Sequence, residues 1–139
     1  MTAELLFSVA NLLALASWIA MAILPRWHAT PNIIVVAAIL LLSMLYLFLI
    51  VLFFGQADGG FGTLAQVKRL FANDFAALAG WVHYLAFDLF IGRWMLLDSQ
   101  RVDLSHWLML PCLALTFLFG PIGLLMYVIL KLILTQQLF

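Results

Sequence analysis

GWVHYLAFDLFIGRW, residues 80–94, is the stretch on which the interpretation of the whole chain depends. It places three ionisable residues, His83, Asp88 and Arg93, within one apolar segment. The sequence on either side of it is mostly Leu, Ala, Ile and Phe. Ionisable groups in such a segment are costly when it lies in a membrane, and they mark a functional site by default.

The composition predicts an integral membrane protein. Of 139 residues, 68% are hydrophobic and 9% are charged, and the mean hydropathy is +1.21. A soluble domain carries about 25% charged residues. The net charge of zero gives no basis for nucleic-acid binding, and the single cysteine, Cys112, excludes an internal disulfide. Zinc-ligand spacings and Gly-rich phosphate loops are missing from the sequence, so neither a metal nor a cofactor is expected.

Hydropathy divides the chain into four candidate spans. A helix needs about 20 apolar residues to cross the hydrocarbon core. Segments of that kind cover residues 3–24, 32–54, 76–98 and 106–134. The short connections at 25–31 and 99–105 predict two antiparallel pairs. The expected fold is therefore all-α, a single membrane domain over 1–139 with four transmembrane helices, the first retained rather than removed as a signal peptide.

The long connection at 55–75 predicts a short helix lying in the membrane interface, over about 63–73. Thr63 and Gln66 fit a capping box at its start. One apolar face is formed by Leu64, Val67, Phe71 and Phe75. An amphipathic helix of this kind lies on the membrane surface. Its role is open between a lid over a site and a simple connector.

The positive charges do not decide the orientation in the membrane. Arg26, Arg93 and Arg101 fall on one side of the predicted four-span arrangement, and Lys68, Arg69 and Lys131 fall on the other. This balance gives no direction by the positive-inside rule. Both termini are expected in the cytoplasm, because Arg93 can be committed to the protein interior.

Asp88 lies almost at the bilayer centre if helix 76–98 spans the membrane. A carboxylate there costs about 2.5–3.5 kcal/mol even on the lenient insertion scale. Its side chain is too short to reach the interface, so it is expected to face the bundle interior, either protonated or paired. Tyr84, one turn earlier, is placed to donate to it. A purely structural role, holding two helices together, is the alternative.

The fourth predicted helix offers a face of small and polar residues to Asp88. Thr116, Gly120, Gly123 and Tyr127 recur along one side of it, and small residues let helices approach closely. Pro121 removes a backbone donor and frees a carbonyl near residue 117. These features predict a kink, and a cavity close to Asp88, with Thr116 at a similar depth.

The quoted stretch also carries a family resemblance. The pattern W-x-H-x-x-x-x-D-L-F-x-x-R falls on Trp81, His83, Asp88, Leu89, Phe90 and Arg93. With PCLALTFLFGPIGLLMYVILK at 111–131, it resembles the abscisic-acid-deficient-four-like family over residues 64–131. Plant members of that family are needed for forming neoxanthin from violaxanthin. A long plastid transit sequence is missing here, so the chain resembles a bacterial or mature-length member, expected in the bacterial inner membrane (a plastid membrane for a plant-type member).

The resemblance implies a membrane-embedded factor that binds or acts on a carotenoid or another isoprenoid lipid. Converting an epoxide to an allene needs a proton delivered to oxygen and a proton removed from carbon, without a redox cofactor. Asp88 is the candidate general acid, His83 the base, and Arg93 or Tyr84 stabilise the alkoxide. Candidate substrate-binding residues are Trp81, Phe87, Thr116, Gly120, Pro121 and Tyr127.

Two other classes of function stay open. The first is a non-catalytic subunit that binds pigment or lipid, or assembles a membrane complex. The second is proton-coupled transport through Asp88 and His83, which is least favoured because the chain shows no repeat or paired half-helices. The expected partners are a hydrophobic polyene or isoprenoid lipid and the bilayer itself, with a homo-oligomer left open.

Overall fold

The computed structural model describes residues 2–136, and every regular element within them is helical. The helices are α1 (Ala3–Ile23), α2 (Val35–Phe53), α3 (Leu64–Leu70), α4 (Asp74–Arg101), α5 (His106–Phe119) and α6 (Pro121–Thr135). A π-helical turn, Thr30–Ile34, leads directly into α2, and a 3₁₀ turn, Phe54–Gln56, follows it.

Three of these helices are long and apolar enough to cross a membrane. They are Ala3–Ile23, the continuous helical stretch Thr30–Phe53, and Asp74–Arg101. The protein therefore has the character of an integral membrane protein. Helix α4, with 28 residues, is about 42 Å long and exceeds the roughly 30 Å hydrocarbon core. Its midpoint falls at Phe87 and Asp88, so the carboxyl is central along this helix.

Helix α4 packs against α1, α2, α5 and α6. Glycines in α4 allow neighbouring rings to approach the helix closely. A Cβ atom added to Gly92 would lie 2.5 Å from the Trp18 ring of α1. A Cβ atom added to Gly80 would lie as close to the Phe71 ring. Bulkier residues at either position would push a neighbour away from α4.

A short helix, α3, lies where the interfacial helix was predicted, but it covers Leu64–Leu70 rather than residues 63–73. The Thr63 hydroxyl accepts a hydrogen bond from the Gln66 amide at 3.2 Å. The Gln66 side chain accepts from the amide of Gly62 rather than from that of Thr63, so only half of the predicted capping box is present. Leu70 is the buried residue of this helix, although it lies outside the predicted apolar face.

The predicted fourth span, 106–134, is wrong as a continuous helix. It is divided into α5 and α6, of 14 and 15 residues, at Gly120. In a straight helix, residues 112 and 123 would lie about 16 Å apart along the axis. In the structure, a Cβ atom on Gly123 would lie 2.5 Å from the Cys112 carbonyl oxygen. Helix α6 therefore folds back along α5, and the pair forms a helical hairpin.

The hairpin places the two ends of the described chain at opposite ends of α4. The start of α1 lies beside the start of α4, where Thr2, Glu4, Asp74 and Trp81 line one cavity. Lys131 of α6 lies beside Asp98, near the end of α4. The expectation that both termini share one side required a straight fourth span. This arrangement does not support it, nor the placement of Lys131 away from Arg101.

Candidate functional site

Asp88 faces the turn of the α5–α6 hairpin. A Cβ atom added to Gly120 would lie 3.0 Å from Asp88 Oδ1 and 3.3 Å from Oδ2. Gly120 has a φ of +47°, a conformation that glycine adopts without a steric penalty. Asp88 Oδ2 is buried and has no hydrogen-bond partner within residues 2–136. Because nearly all buried polar atoms are paired, this oxygen is the strongest indication of a ligand-binding or reacting group here.

Tyr84 bonds to a backbone carbonyl that the hairpin turn leaves free. Its hydroxyl donates to the Phe117 carbonyl oxygen at 3.3 Å. This carbonyl belongs to the last turn of α5, where helical donors run out, and Pro121 four residues later has no N–H to offer. The freed carbonyl near residue 117 is thus confirmed. The Tyr84 phenol also lies beside the Asp88 carboxyl. Because a phenol carries one proton, it donates to only one of these two acceptors at a time.

Thr116 does not meet Asp88 as predicted. Its hydroxyl donates to the Cys112 carbonyl at 2.8 Å and lies 3.6 Å from the Met95 sulfur. Met95 is two helical turns beyond Asp88 on α4. A straight fourth span over 106–134 would continue past Asp88 and bring Thr116 to its level. Because α5 ends at Phe119, Gly120 rather than Thr116 occupies the place opposite the carboxyl.

His83 lies on a different face of α4 from Asp88. Five residues separate them, which rotates one about 140° from the other on a helix. The imidazole is exposed and packs against Phe87 and Tyr46, with ring centroids 4.5 Å and 5.5 Å away. The structure therefore does not bring the predicted acid and base together.

Arg93 joins α4 to the helical turn that precedes α2. Its Nε donates to the Pro31 carbonyl at 2.6 Å, and its guanidinium donates to the Asn32 side-chain oxygen at 3.3 Å. Those bonds occupy the guanidinium at one end of the bundle. The structure does not place it beside Asp88, where it would stabilise an alkoxide.

Trp81 and Phe87, the two predicted aromatic contacts for a substrate, occupy separate surfaces. The Trp81 indole donates to the Asn11 side chain at 3.0 Å, which links α4 to α1. Phe87 is 60% exposed on the α2 side of α4. Of the predicted site residues, the structure thus groups Asp88 with Tyr84, Gly120 and the adjacent Pro121. The Trp81 ring lies 5.4 Å from that of Tyr84, and His83 is grouped with Phe87.

The chain was compared with protein families and with individual proteins. The family model described as ABA DEFICIENT 4-like matches residues 5–127, which is most of the chain. The chain belongs to the ABA DEFICIENT 4-like family. No curated protein and no solved structure matches it. The family match spans the Asp88 turn and the His83 surface, and it ends at Tyr127.

One polar cluster of this ABA DEFICIENT 4-like protein was missed from the sequence. Lys131, only 2% exposed, lies 2.7 Å from Asp98 Oδ2, and the Tyr127 hydroxyl donates to the same oxygen. Tyr127 was assigned to substrate binding, but here it is fully buried against Asp98. The sequence feature that could have indicated this cluster is the pair Tyr127 and Lys131, which lie one helical turn apart in an apolar segment. The pair was not recognised as part of a cluster, because a straight fourth helix would place Lys131 far from Asp98.

The described part of the chain contains no cluster of metal-ligating side chains. Across residues 2–136, no three His, Cys, Asp or Glu side chains converge as a metal ion would require. At the hairpin turn, the structure places one carboxyl, one phenol and the backbone carbonyl of Phe117.

Proposed function

We propose that this family member binds a carotenoid or related isoprenoid lipid within the membrane, and acts on it through Asp88 as a general acid. The observation that carries the proposal is the buried, unpartnered Oδ2 of Asp88 beside the Gly120 turn. A carboxyl at membrane depth favours its neutral form, because desolvation penalises the charge. A neutral carboxyl holds a proton that it can donate.

The hairpin turn gives a bilayer-dissolved substrate a lateral approach. Asp88 is half-buried, and Phe119, Pro121 and Ile122 next to the turn are exposed. These apolar side chains surround the turn as lipid-facing groups would. A hydrophobic polyene would reach the carboxyl from the lipid, without passing through an aqueous entrance.

The epoxide-to-allene reaction that the family resemblance implies can run on this one carboxyl. Asp88 transfers its proton to the epoxide oxygen, and the carbon–oxygen bond breaks to leave a hydroxyl group. A proton leaves the neighbouring carbon, and its electron pair forms the second double bond of the allene. The other oxygen of Asp88 takes up that proton, so the enzyme returns to its starting state and the product is an isomer of the substrate.

This scheme gives the base to Asp88 itself, since His83 lies on the other face of α4. Tyr84 positions the carboxyl: with its own proton bonded to Phe117, its oxygen is an acceptor for the Asp88 proton. Arg93 holds the start of the second span through Pro31 and Asn32.

In the membrane, we propose that the chain forms three spans and one re-entrant hairpin. Helices α5 and α6 would each extend about 21–22 Å, short of the roughly 30 Å core, so the hairpin would turn near the level of Asp88. The start of α1 and the end of α6 would then lie on opposite sides. Helix α3 would lie in the interface, and a bacterial inner membrane is the proposed location.

The test is turnover in reconstituted membranes. Purified protein in liposomes is incubated with violaxanthin, and the pigments are separated by chromatography. We expect an isomeric product from the wild type and at least about a hundredfold less from Asp88→Asn, because a general acid contributes about 10²–10⁴-fold. Asp103→Asn, an exposed loop change, is the matched control. Full conversion by Asp88→Asn would sink the acid role.

A second candidate function is binding without chemistry. An aromatic-lined cavity on the α2 side of α4, away from Asp88, favours it. In that case the purified protein would carry bound pigment with carotenoid absorption, and violaxanthin would be recovered unchanged from the liposomes.

A further inference from the structure

A cavity of about 260 Å³ lies between α2, α3 and α4, on the face of α4 opposite the hairpin turn. We call it the aromatic pocket, and the residues that define it here are Tyr46, Phe53, Phe61, Phe71, Phe75 and His83. The proposed reaction at Asp88 does not use this pocket.

The pocket has flat walls made of rings. Phe53 and Phe75 stack with centroids 3.9 Å apart and planes inclined by 5°. Phe71, directly after α3, packs against Gly80 of α4. Leu70 and Phe71 bring α3 over the cavity, so this helix covers a site as a lid would. The walls suit a flat ring or a conjugated chain.

Two hydrogen-bonding side chains face this apolar space, and both lack a partner. They are the His83 imidazole and the Tyr46 hydroxyl, whose rings lie 5.5 Å apart. In the described residues neither side chain makes a hydrogen bond. Both belong to helices long enough to span a membrane, where lipid tails offer no hydrogen bonds. A ligand oxygen would satisfy them.

We infer that the aromatic pocket binds the hydroxylated ring end of a carotenoid-type polyene, an inference that rests on the proposed function for its ligand class. The volume lies slightly below the roughly 300 Å³ of small drug-sized sites, so it takes a ring and not a whole polyene. The two polar side chains are neighbours, with ring centroids 5.5 Å apart, which suits a single ring hydroxyl. A ring that carries two carbonyl groups at opposite positions would place one of them against apolar walls.

The polyene that extends from the bound ring has space along α2 and α4. A second cavity, of about 300 Å³, lies farther along the same two helices and is lined by Ser43, Phe87 and Phe90 among others. His83 and Phe90 are about 10 Å apart along α4. Because this track runs on the α2 side of α4, a molecule held there is not the one beside Asp88. The protein therefore holds two polyene molecules in separate positions.

The test compares two polyenes that differ only in their ring hydroxyls, zeaxanthin and β-carotene. Each is titrated into the full-length protein in nanodiscs, and bound pigment is measured by absorption and by quenching of tryptophan fluorescence. We expect zeaxanthin to bind about tenfold more tightly than β-carotene, the effect of one well-placed hydrogen bond. His83→Phe and Tyr46→Phe should each remove most of that preference, and Phe75→Ala should weaken both ligands.

Phe48→Ala, which removes an exposed ring of α2 outside the pocket, is the matched control and should change neither affinity. Asp88→Asn should stop violaxanthin conversion and leave the zeaxanthin preference intact. If conversion proceeds while His83→Phe and Tyr46→Phe bind zeaxanthin as the wild type does, the pocket assignment is overturned and the proposed function stands. If the wild type binds neither pigment, both are overturned.

Discussion

Gly120 is the residue on which the geometry of the Asp88 site depends. Its φ of +47° lies in a region that L side chains rarely adopt, and an added Cβ would press on the Asp88 carboxyl at 3.0 Å. We expect Gly120→Ala to lower the free energy of unfolding by about 1–3 kcal/mol. Denaturant titration in mixed micelles, followed by circular dichroism, measures this.

Gly55→Ala is the matched glycine control, because a Cβ atom there meets nothing within 4 Å. It should leave the unfolding free energy within about 0.5 kcal/mol of the wild type. Equal stability of Gly120→Ala and Gly55→Ala would show that the turn at Gly120 does not have this conformation.

Tyr84 is the second residue that the turn requires. Tyr84→Phe removes the donor to the Phe117 carbonyl and keeps the ring. Hydrogen bonds between membrane helices contribute about 0.6 kcal/mol on average and at most about 1.7, so we expect a loss of stability in that range, measured by the same titration. Tyr46→Phe, which removes a hydroxyl without a hydrogen bond in the described residues, should be close to neutral without ligand. The reverse order of the two variants would contradict the assignment.

At the scale of elements, the α5–α6 hairpin is attached to α4 at both of its ends. The turn lies against Asp88, and the returning helix is bound through Lys131 and Tyr127 to Asp98. Thr116 and Met95 pack between these two points. Helix α6 folds back along α5, and its charged side chain, Lys131, has a carboxylate partner on α4.

Removing the lysine tests this attachment. Lys131→Met leaves Asp98 partly buried with Tyr127 as its remaining hydrogen-bond donor, and breaking a buried ion pair from one side costs about 3–5 kcal/mol. We expect a loss near the lower end, since Asp98 is 15% exposed. The double variant Asp98→Asn/Lys131→Met should be less destabilised than the sum of the single variants. Additive losses in this double-mutant cycle would mean that the two residues do not touch.

The hairpin also shows where sequence reasoning failed. Residues 106–134 are mostly apolar and long enough to span, and proline is tolerated in membrane helices, so the local sequence FGPIG predicts a kink. The Gly120–Pro121 pair is a turn signal in any protein. The reversed chain brings Lys131 to the distant Asp98, a contact that a straight helix would not allow. That contact is not visible from local periodicity.

For the molecule as a whole, the position of a residue along its helix was predictable and its neighbours on other helices were not. The central position of Asp88 followed from counting along one helix, and α4 keeps it there. The angular separation of His83 from Asp88 followed from the same helix. The acceptors of Arg93 on Pro31 and Asn32, and the place of Gly120 opposite the carboxyl, needed the packing of other helices. Hydropathy gives no information about which faces of those helices meet.

The topology of the whole chain gives the last prediction. Three spans and a hairpin put Thr2 and Asp58 on one side of the membrane and Trp27 and Gln136 on the other, whereas a fourth span would put Gln136 with Thr2. Single cysteines at these four positions, in a Cys112→Ala background, are labelled with a membrane-impermeant maleimide in sealed vesicles. We expect Gln136→Cys to be labelled together with Trp27→Cys, and Thr2→Cys together with Asp58→Cys. Labelling of Gln136→Cys with Thr2→Cys would restore the fourth span, and would separate Lys131 from Asp98 by the thickness of the membrane.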